Sequence, residues 1–355
     1  MLQNMTQREL DQFAENIING YKLSDVELQE LLSINEKDEL NKLYSISRKV
    51  RDHSFGNRVF LYSFVYFSTH CKNKCKFCYY RQSNDIERYR LDAEEVRSIC
   101  KTLKNENIHM VDLTMGEDPY FHDSPERFVE LVKLVKEETE LPIMISPGVM
   151  DNEILEELQK NGANFLALYQ ETHDKDLYRK LRVGQSFQKR MDARSFAKNT
   201  GYCIEDGILT GIGEDNDSII NSLHGMEKNS PDMVRVMTFV PQEGTPLEDT
   251  KSHSSLSELR IIAILRLMFP DRLIPASLDL EGIDGMVHRL NAGANVVTSI
   301  IPGDSSLEGV VNYDRKLEER DRDPKSVILR LKEMGMEPAE QEDFNRIIGA
   351  STCGA

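Results

Sequence analysis

The sequence has no tryptophan, and aromatic residues fill only 7% of its 355 positions. It has no run of 18 apolar residues, so no membrane-spanning helix is expected. The opening residues Met1 to Thr6 lack a basic stretch followed by an apolar one, so no secretory leader is expected either. Positive charge is in deficit: 44 Lys and Arg stand against 60 Asp and Glu, a net of −16. That balance argues against nucleic acid or an anionic membrane as a partner. Six cysteines, three of them bunched, do not make a disulfide framework, which points to a reducing, cytoplasmic compartment.

Hydrophobic residues make up 39% of the chain, enough for one large α/β domain or two small ones. The periodicity predicts three helices over 6–18, 24–32 and 36–50, capped by Thr6 and Ser24 at the first two. Strand patterns follow at 59–66, 108–114, 142–146, 164–169, 202–209, 233–239, 273–279 and 294–299. Helical patterns separate them at about 92–105, 124–138, 151–160, 174–199, 216–228, 255–268 and 281–291, and one more spans 324–336. Eight strands alternating with helices predict parallel pairing and closure, a (βα)8 TIM barrel of the α/β class. The expected divisions are a helical cap over 1–55, the barrel over 56–303 and a C-terminal helical extension over 304–355. The charged run 315–322 reads as a solvated segment, and a monomer is expected.

The most informative stretch follows the first strand: Cys71, Cys75 and Cys78, spaced C-x3-C-x2-C within residues 69–80. Three thiolates on one short turn can hold a soft metal centre. A structural zinc needs four closed ligands, and no fourth Cys or paired His follows. The set therefore suggests one [4Fe–4S] cluster with an iron left open for a chelating cofactor. His70 adjoins the loop as a polar neighbour, and His109 is the other histidine expected near the site. With Phe77 before the third cysteine, the motif resembles the signature of the radical S-adenosylmethionine (SAM) enzymes.

That resemblance implies SAM as cofactor, bound at the carboxyl ends of the strands. The turn Met115-Gly116-Glu117 resembles the family's Gly-Gly-Glu turn, with Met115 in place of the first glycine. Tyr169, Glu171, Arg182 and Arg190 follow the fourth strand, where relatives hold the polar end of the cofactor. Gly207-Ile208-Leu209-Thr210-Gly211-Ile212-Gly213-Glu214 resembles the family's Gly-x-Ile-x-Gly-x-x-Glu strand. Tyr79, Leu209 and Met237 complete the expected cofactor set. The loop Pro241-Gln242-Glu243-Gly244-Thr245-Pro246-Leu247 resembles one in biotin synthase and its relatives.

Strand parity then decides which polar groups enter the barrel. Asp112, Arg235, Ser277 and Asp279 alternate with apolar neighbours and are expected to point inward, joined at strand ends by Ser146, Thr298 and Ser299. Two readings stay open: an internal Asp112–Arg235 pair, or a ligand that matches the charges. The leftover charge of −1 complements two ammoniums and one carboxylate, which lysine supplies.

Taken together with Val234-Arg235-Val236-Met237-Thr238-Phe239 and Ala276-Ser277-Leu278-Asp279-Leu280-Glu281-Gly282, these motifs resemble the lysine mutases of pyrrolysine biosynthesis over nearly the whole chain. The resemblance implies isomerisation of L-lysine to (3R)-3-methyl-D-ornithine through a 5′-deoxyadenosyl radical. A sulfur-inserting or hydrogenase-maturing relative is the alternative, disfavoured because Cys100, Cys203 and Cys353 are too scattered for a second cluster. A small electron-transfer protein is the expected reductant; Lys72, Lys74, Lys76 and Arg81 either dock it or offset cluster charge.

Overall fold

The computed structural model describes residues 2–251, 254–302 and 322–352. Three helices lead: α1 (Gln7–Ile18), α2 (Asp25–Leu32) and α3 (Lys37–Phe55). Thr6 and Ser24 close capping boxes with Glu9 and Glu27, satisfying the first free N–H groups of α1 and α2. Their apolar faces, among them Phe13, Leu31, Leu43 and Val50, are buried in one core. The third helix runs five residues past its expected end at 50. The buried Arg51 explains the extension, since its Nη1 donates to the carbonyl of Leu290 at 2.6 Å. Gly56, at φ +63°, ends the helix.

Eight parallel strands follow: β1 (Arg58–Ser68), β2 (Met110–Met115), β3 (Ile143–Ser146), β4 (Ala163–Ala167), β5 (Cys203–Thr210), β6 (Met233–Thr238), β7 (Pro275–Ser277) and β8 (Val296–Ile300). Between them run α4 (Ala93–Lys104), α5 (Pro119–His122), α6 (Glu126–Thr139), α7 (Asn152–Lys160), α8 (Lys175–Leu181), α9 (Phe187–Asn199), α10 (Asn216–Asn229), α11 (Leu256–Met268) and α12 (Gly282–Asn291). The sheet order is β6-β5-β4-β3-β2-β1-β8-β7. A bridge between Met233 and Leu273, with Val234 N–H donating to the Leu273 carbonyl at 2.9 Å, draws the two edges together. The expected (βα)8 barrel is present.

Parity holds on the strands that carry the site. Met110 and Met233 pack inside, whereas Val111, Leu113, Val234 and Val236 pack outward against helices. The expected long helix over 174–199 is broken into α8 and α9 by Gly184 at φ +78°. Arg182 leaves the helical conformation at the end of α8, which frees its side chain to reach the site.

The tail adds α13 (Pro324–Glu333), β9 (Glu337–Pro338) and α14 (Gln341–Thr352), the last two unforeseen. β9 pairs with the start of β1. Phe344 on α14 packs against Phe60, His109 and Phe165 at ring distances of 5.6, 6.0 and 6.3 Å, filling the N-terminal end of the barrel. This corrects the placement of His109. It lies at the end opposite the cysteine loop, where its ring bonds the Ala339 carbonyl at 2.8 Å and burial pulls its pKa down. Cys203 shares that plug, and Cys100 is buried on α4. Cys353 and residues 315–321 lie outside the described residues.

Replacing Phe344 with Ala should remove this plug and cost about 3 kcal/mol of unfolding free energy, measured by chemical denaturation.

Candidate active site

The cysteine loop leaves β1 and is fastened on three sides. Lys72 N–H donates to the Glu117 carbonyl at 2.9 Å, and Lys76 N–H to the Leu181 carbonyl at 2.9 Å. Arg88, which sequence reasoning missed, donates to the carbonyls of Thr69 and Arg81, each at 2.7 Å. Asn84, also missed, donates to the Tyr79 carbonyl at 2.9 Å and to the Glu243 carbonyl at 3.2 Å, tying the loop after β6 to the cysteines. Gly244, at φ +71°, permits that contact; a Cβ there would meet Asn84 Oδ1 at 1.9 Å.

Cys75 is buried, and Cys71 and Cys78 are half-buried. Gln185 Nε2 donates to Cys75 Sγ at 2.9 Å, and Arg182 Nη1 approaches the same sulfur at 3.8 Å. Burial, with the neighbouring sulfurs, pushes the Cys78 thiol up to about 12, so a metal centre has to displace its proton. Among the described residues no three His, Cys, Asp or Glu side chains converge on a single ion. Three soft donors on one turn, with a cation and an amide turned to sulfur, fit a [4Fe–4S] cluster. Gly116 closes against the loop, and a Cβ at that position would stand 2.6 Å from Cys71 Cβ.

Beside the loop runs a groove of about 580 Å³, lined by Lys72, Asn73, Glu117, Gln185, Ser186 and Arg190 among others. Glu117 takes the Val149 N–H at 3.3 Å, and Gly148, at φ +78°, gives its side chain room. Arg190 is buried, donates Nε to the Tyr169 carbonyl at 2.7 Å and has no carboxylate partner among the described residues. Burial, then Arg182, push its guanidinium down to about 10, a cost that an anionic ligand would relieve. Glu171 holds Arg182 at 2.5 Å and adopts φ +67°, a conformation uncommon outside glycine and frequent at functional sites. Its other oxygen, Oε2, is buried without a partner among the described residues and can accept from a ligand hydroxyl. Leu209 packs with Phe77, Leu181 and Phe239 near the loop, and Met237 is its register partner on β6. Tyr79 lies edge-on to Tyr80 at 5.8 Å.

A second cluster of polar groups fills the barrel interior. Asp112 accepts from Ser146 Oγ at 3.1 Å. The alternative of an Asp112–Arg235 pair is corrected by the structure: Arg235 pairs with Glu205, Nε to Oε1 at 2.7 Å. Tyr169 turns inward, its hydroxyl donating to Glu205 Oε2 at 2.9 Å. Asp279 accepts from Ser277 Oγ at 2.7 Å and from Ser299 Oγ at 2.8 Å. Arg322 pairs with it at 3.2 Å from the C-terminal tail. Arg322 is therefore buried and not part of a solvated run, because the Asp279 carboxylate draws it in. Ser299 stands at φ +65°, and Thr298 Oγ1 is buried without a partner among the described residues. Glu205, Tyr62 and Arg322 were not expected; parity on β5 already places Glu205 on the same face as Cys203 and Gly207.

Burial, and next the Glu205 charge, push the Asp112 carboxyl up to about 7. Among the described residues it pairs with no cation, so the chamber keeps one carboxylate ready for an ammonium.

Residues 65–224 match the Radical SAM superfamily. The chain is 66% identical over 348 residues to 3-methylornithine synthase of Methanosarcina acetivorans, covering 98% of this chain and 99% of that protein. A crystal structure of methylornithine synthase superposes with TM-score 0.92 at 67% identity, over 94% of this chain and 99% of that one. The [FeFe] hydrogenase maturase subunit HydE of Thermotoga maritima is more distant, 30% identical over 76% of this chain and 78% of its own.

Gly116→Ala should leave the fold intact and prevent cluster loading, read as lost iron and lost visible absorbance after reconstitution. Arg190→Ala should load its cluster normally and bind SAM at least about tenfold more weakly by calorimetry, as expected for losing one charge-assisted fork.

Proposed function

The chain belongs to the 3-methylornithine synthases of the radical SAM superfamily, and from that premise we propose which of its residues carry the reaction. The enzyme isomerises L-lysine to (3R)-3-methyl-D-ornithine in pyrrolysine biosynthesis, using one [4Fe–4S] cluster and SAM. When bound, these two groups supply the 5′-deoxyadenosyl radical that takes a hydrogen atom from the substrate. The chain's own task is to hold, orient and seal.

Cys71, Cys75 and Cys78 hold the cluster, and Arg182 and Gln185 steady the sulfur of Cys75. Glu117 receives the ammonium of SAM, and Arg190 its carboxylate. Glu171 accepts from the ribose, while Tyr79, Leu209 and Met237 pack the adenosine end. Arg235 then offers its Nη end to the lysine carboxylate, Asp112 takes one ammonium, and Asp279 with Ser277 and Ser299 takes the other. Ser146 orients Asp112, and Thr298 gives its free hydroxyl to the ligand. The observation that carries this assignment is Asp112, a carboxylate with no cation partner among the described residues, facing a guanidinium whose Nη1 end is open inside the barrel.

For the domains we propose a cap over 1–55, a barrel over 56–303 and an extension over 304–355; α1 to α3 before β1, and α13 and α14 after β8, support the reading. Exposed Lys72 and Lys74 border the loop of an otherwise acidic protein, which supports docking of a small acidic electron-transfer protein there. The buried thiols of Cys100 and Cys203 suit a reducing cytoplasm, and no helix among the described residues is long and apolar enough to cross a membrane.

Anaerobic, reconstituted protein given lysine, SAM and a reductant should form methylornithine, identified by mass spectrometry; 5′-deoxyadenosine without it would overturn the reading. Lysine affinity should rise with pH through about 7, because the arriving ammonium prefers ionised Asp112. In the ligand-free enzyme this group works the other way. Its folded pKa exceeds the ordinary 3.8, so its contribution to stability is full below that value and is lost as pH climbs towards about 7. Asp112→Asn should remove the pH step from lysine binding, measured by titration calorimetry.

A further inference from the structure

Glu205 is fully buried on β5, and neither carboxylate oxygen is idle. Oε1 accepts from Arg235 Nε at 2.7 Å and Oε2 from the Tyr169 hydroxyl at 2.9 Å. Arg235 Nη2 donates to the Tyr62 hydroxyl on β1. The guanidinium carbon also lies 5.6 Å from the Tyr169 ring centre and 6.0 Å from that of Tyr62. Strands β1, β5 and β6 and the segment after β4 thus converge on one side chain. Gly207 is the register partner of Arg235 and makes the space. A Cβ there would stand 2.9 Å from Tyr169 Cδ1 and 3.4 Å from Arg235 Cβ.

Nη1 of Arg235 has no acceptor among the described residues. Nη1 is not among the fully buried unpartnered polar atoms of the described residues, so that end of the guanidinium reaches open space where a ligand can meet it while Nε and Nη2 are held. The charge of Glu205 also reaches further than its partner. Asp112 is faced by Thr114 from β2, Ser146 from β3, Glu205 from β5 and Arg235 from β6, and the buried hydroxyls of Tyr62 and Tyr169 sense its charge. Of the charged groups among them, Glu205 acts on Asp112 more strongly than Arg235 does.

We propose that Glu205 is a positioning residue for the lysine reaction: it locks the Arg235 guanidinium so that only the Nη1 end meets the substrate carboxylate, and so fixes which side-chain carbon faces the site of hydrogen removal. This rests on the reading that Arg235 receives that carboxylate. The lysine side chain is a flexible rod anchored at one end. A swing of its anchor by one rotamer moves the far carbons by ångströms, and such displacements cost about a hundredfold in rate.

The test uses anaerobic, cluster-loaded enzyme with SAM, reductant and lysine deuterated at single side-chain carbons. Glu205→Gln should raise KM for lysine about tenfold or more and lower kcat. It should raise the ratio of 5′-deoxyadenosine to methylornithine and pass deuterium into 5′-deoxyadenosine from carbons that the parent leaves untouched. The pH step in lysine binding should also move below that of the parent, since the carboxylate that opposes Asp112 ionisation is gone. Glu205→Asp, too short to reach both partners, should show the same product ratio to a lesser degree. A Glu205→Gln enzyme with full iron content and parental KM, labelling pattern and pH step would overturn the proposal. If that variant fails to load its cluster, Tyr62→Phe decides, because it releases Arg235 Nη2 without changing charge. A raised 5′-deoxyadenosine ratio then supports the lock, and a parental ratio refutes it. Failure of the parent to convert lysine would instead refute the functional reading, whatever the variants do.

Discussion

One buried ion pair holds the two halves of this site together. Arg182 bonds Glu171 at the end of the fourth strand, reaches the sulfur of Cys75 and lies 5.4 Å from the ring of Phe77. A guanidinium is suited to this post, because its planar face and several N–H groups can serve carboxylate, sulfur and aromatic ring together. Burying it would be costly alone, and Glu171 offsets that cost. The backbone answers to the same demand. The chain leaves the helical conformation at Arg182, Gly184 turns it into α9, and Glu171 accepts a left-handed conformation. Irregularities that look local thus share one cause.

The barrel interior is divided by polarity along its axis. Methionines and aromatic rings close the N-terminal end, and charges occupy the end where the loops gather. Two of the three carboxylates there come with their own cations, Glu205 with Arg235 and Asp279 with Arg322. Pre-paired charges lose little when a ligand displaces water, so they can hold shape. The unpaired Asp112 can respond to a ligand. Rigidity and responsiveness are given to different residues.

Much of this was legible in the sequence. The cysteine spacing specified the metal centre, and alternation on β2, β6 and β7 put Asp112, Arg235 and Ser277 inside. What escaped did so for physical reasons. Glu205 and Asp206 are adjacent acids on one strand, one facing in and one out, so neither breaks an apolar pattern. Asp206 is in fact satisfied on the outer side by Arg194 at 3.0 Å and His173 at 2.9 Å. Arg322 was hidden in a charged run, because its partner is 43 residues away in sequence. Phe344 belongs to a short amphipathic helix whose role appears only when the barrel end it fills is known.

That aromatic plug makes the barrel a well and not a tube. Phe344 closes one end with the chain's own tail, and the polar groups of the interior gather towards the other. The last helix, far from the cysteine loop, thereby forms the floor of the chamber, and a fusion that pulled α14 away would strip Phe60, His109 and Phe165 of the ring that covers them.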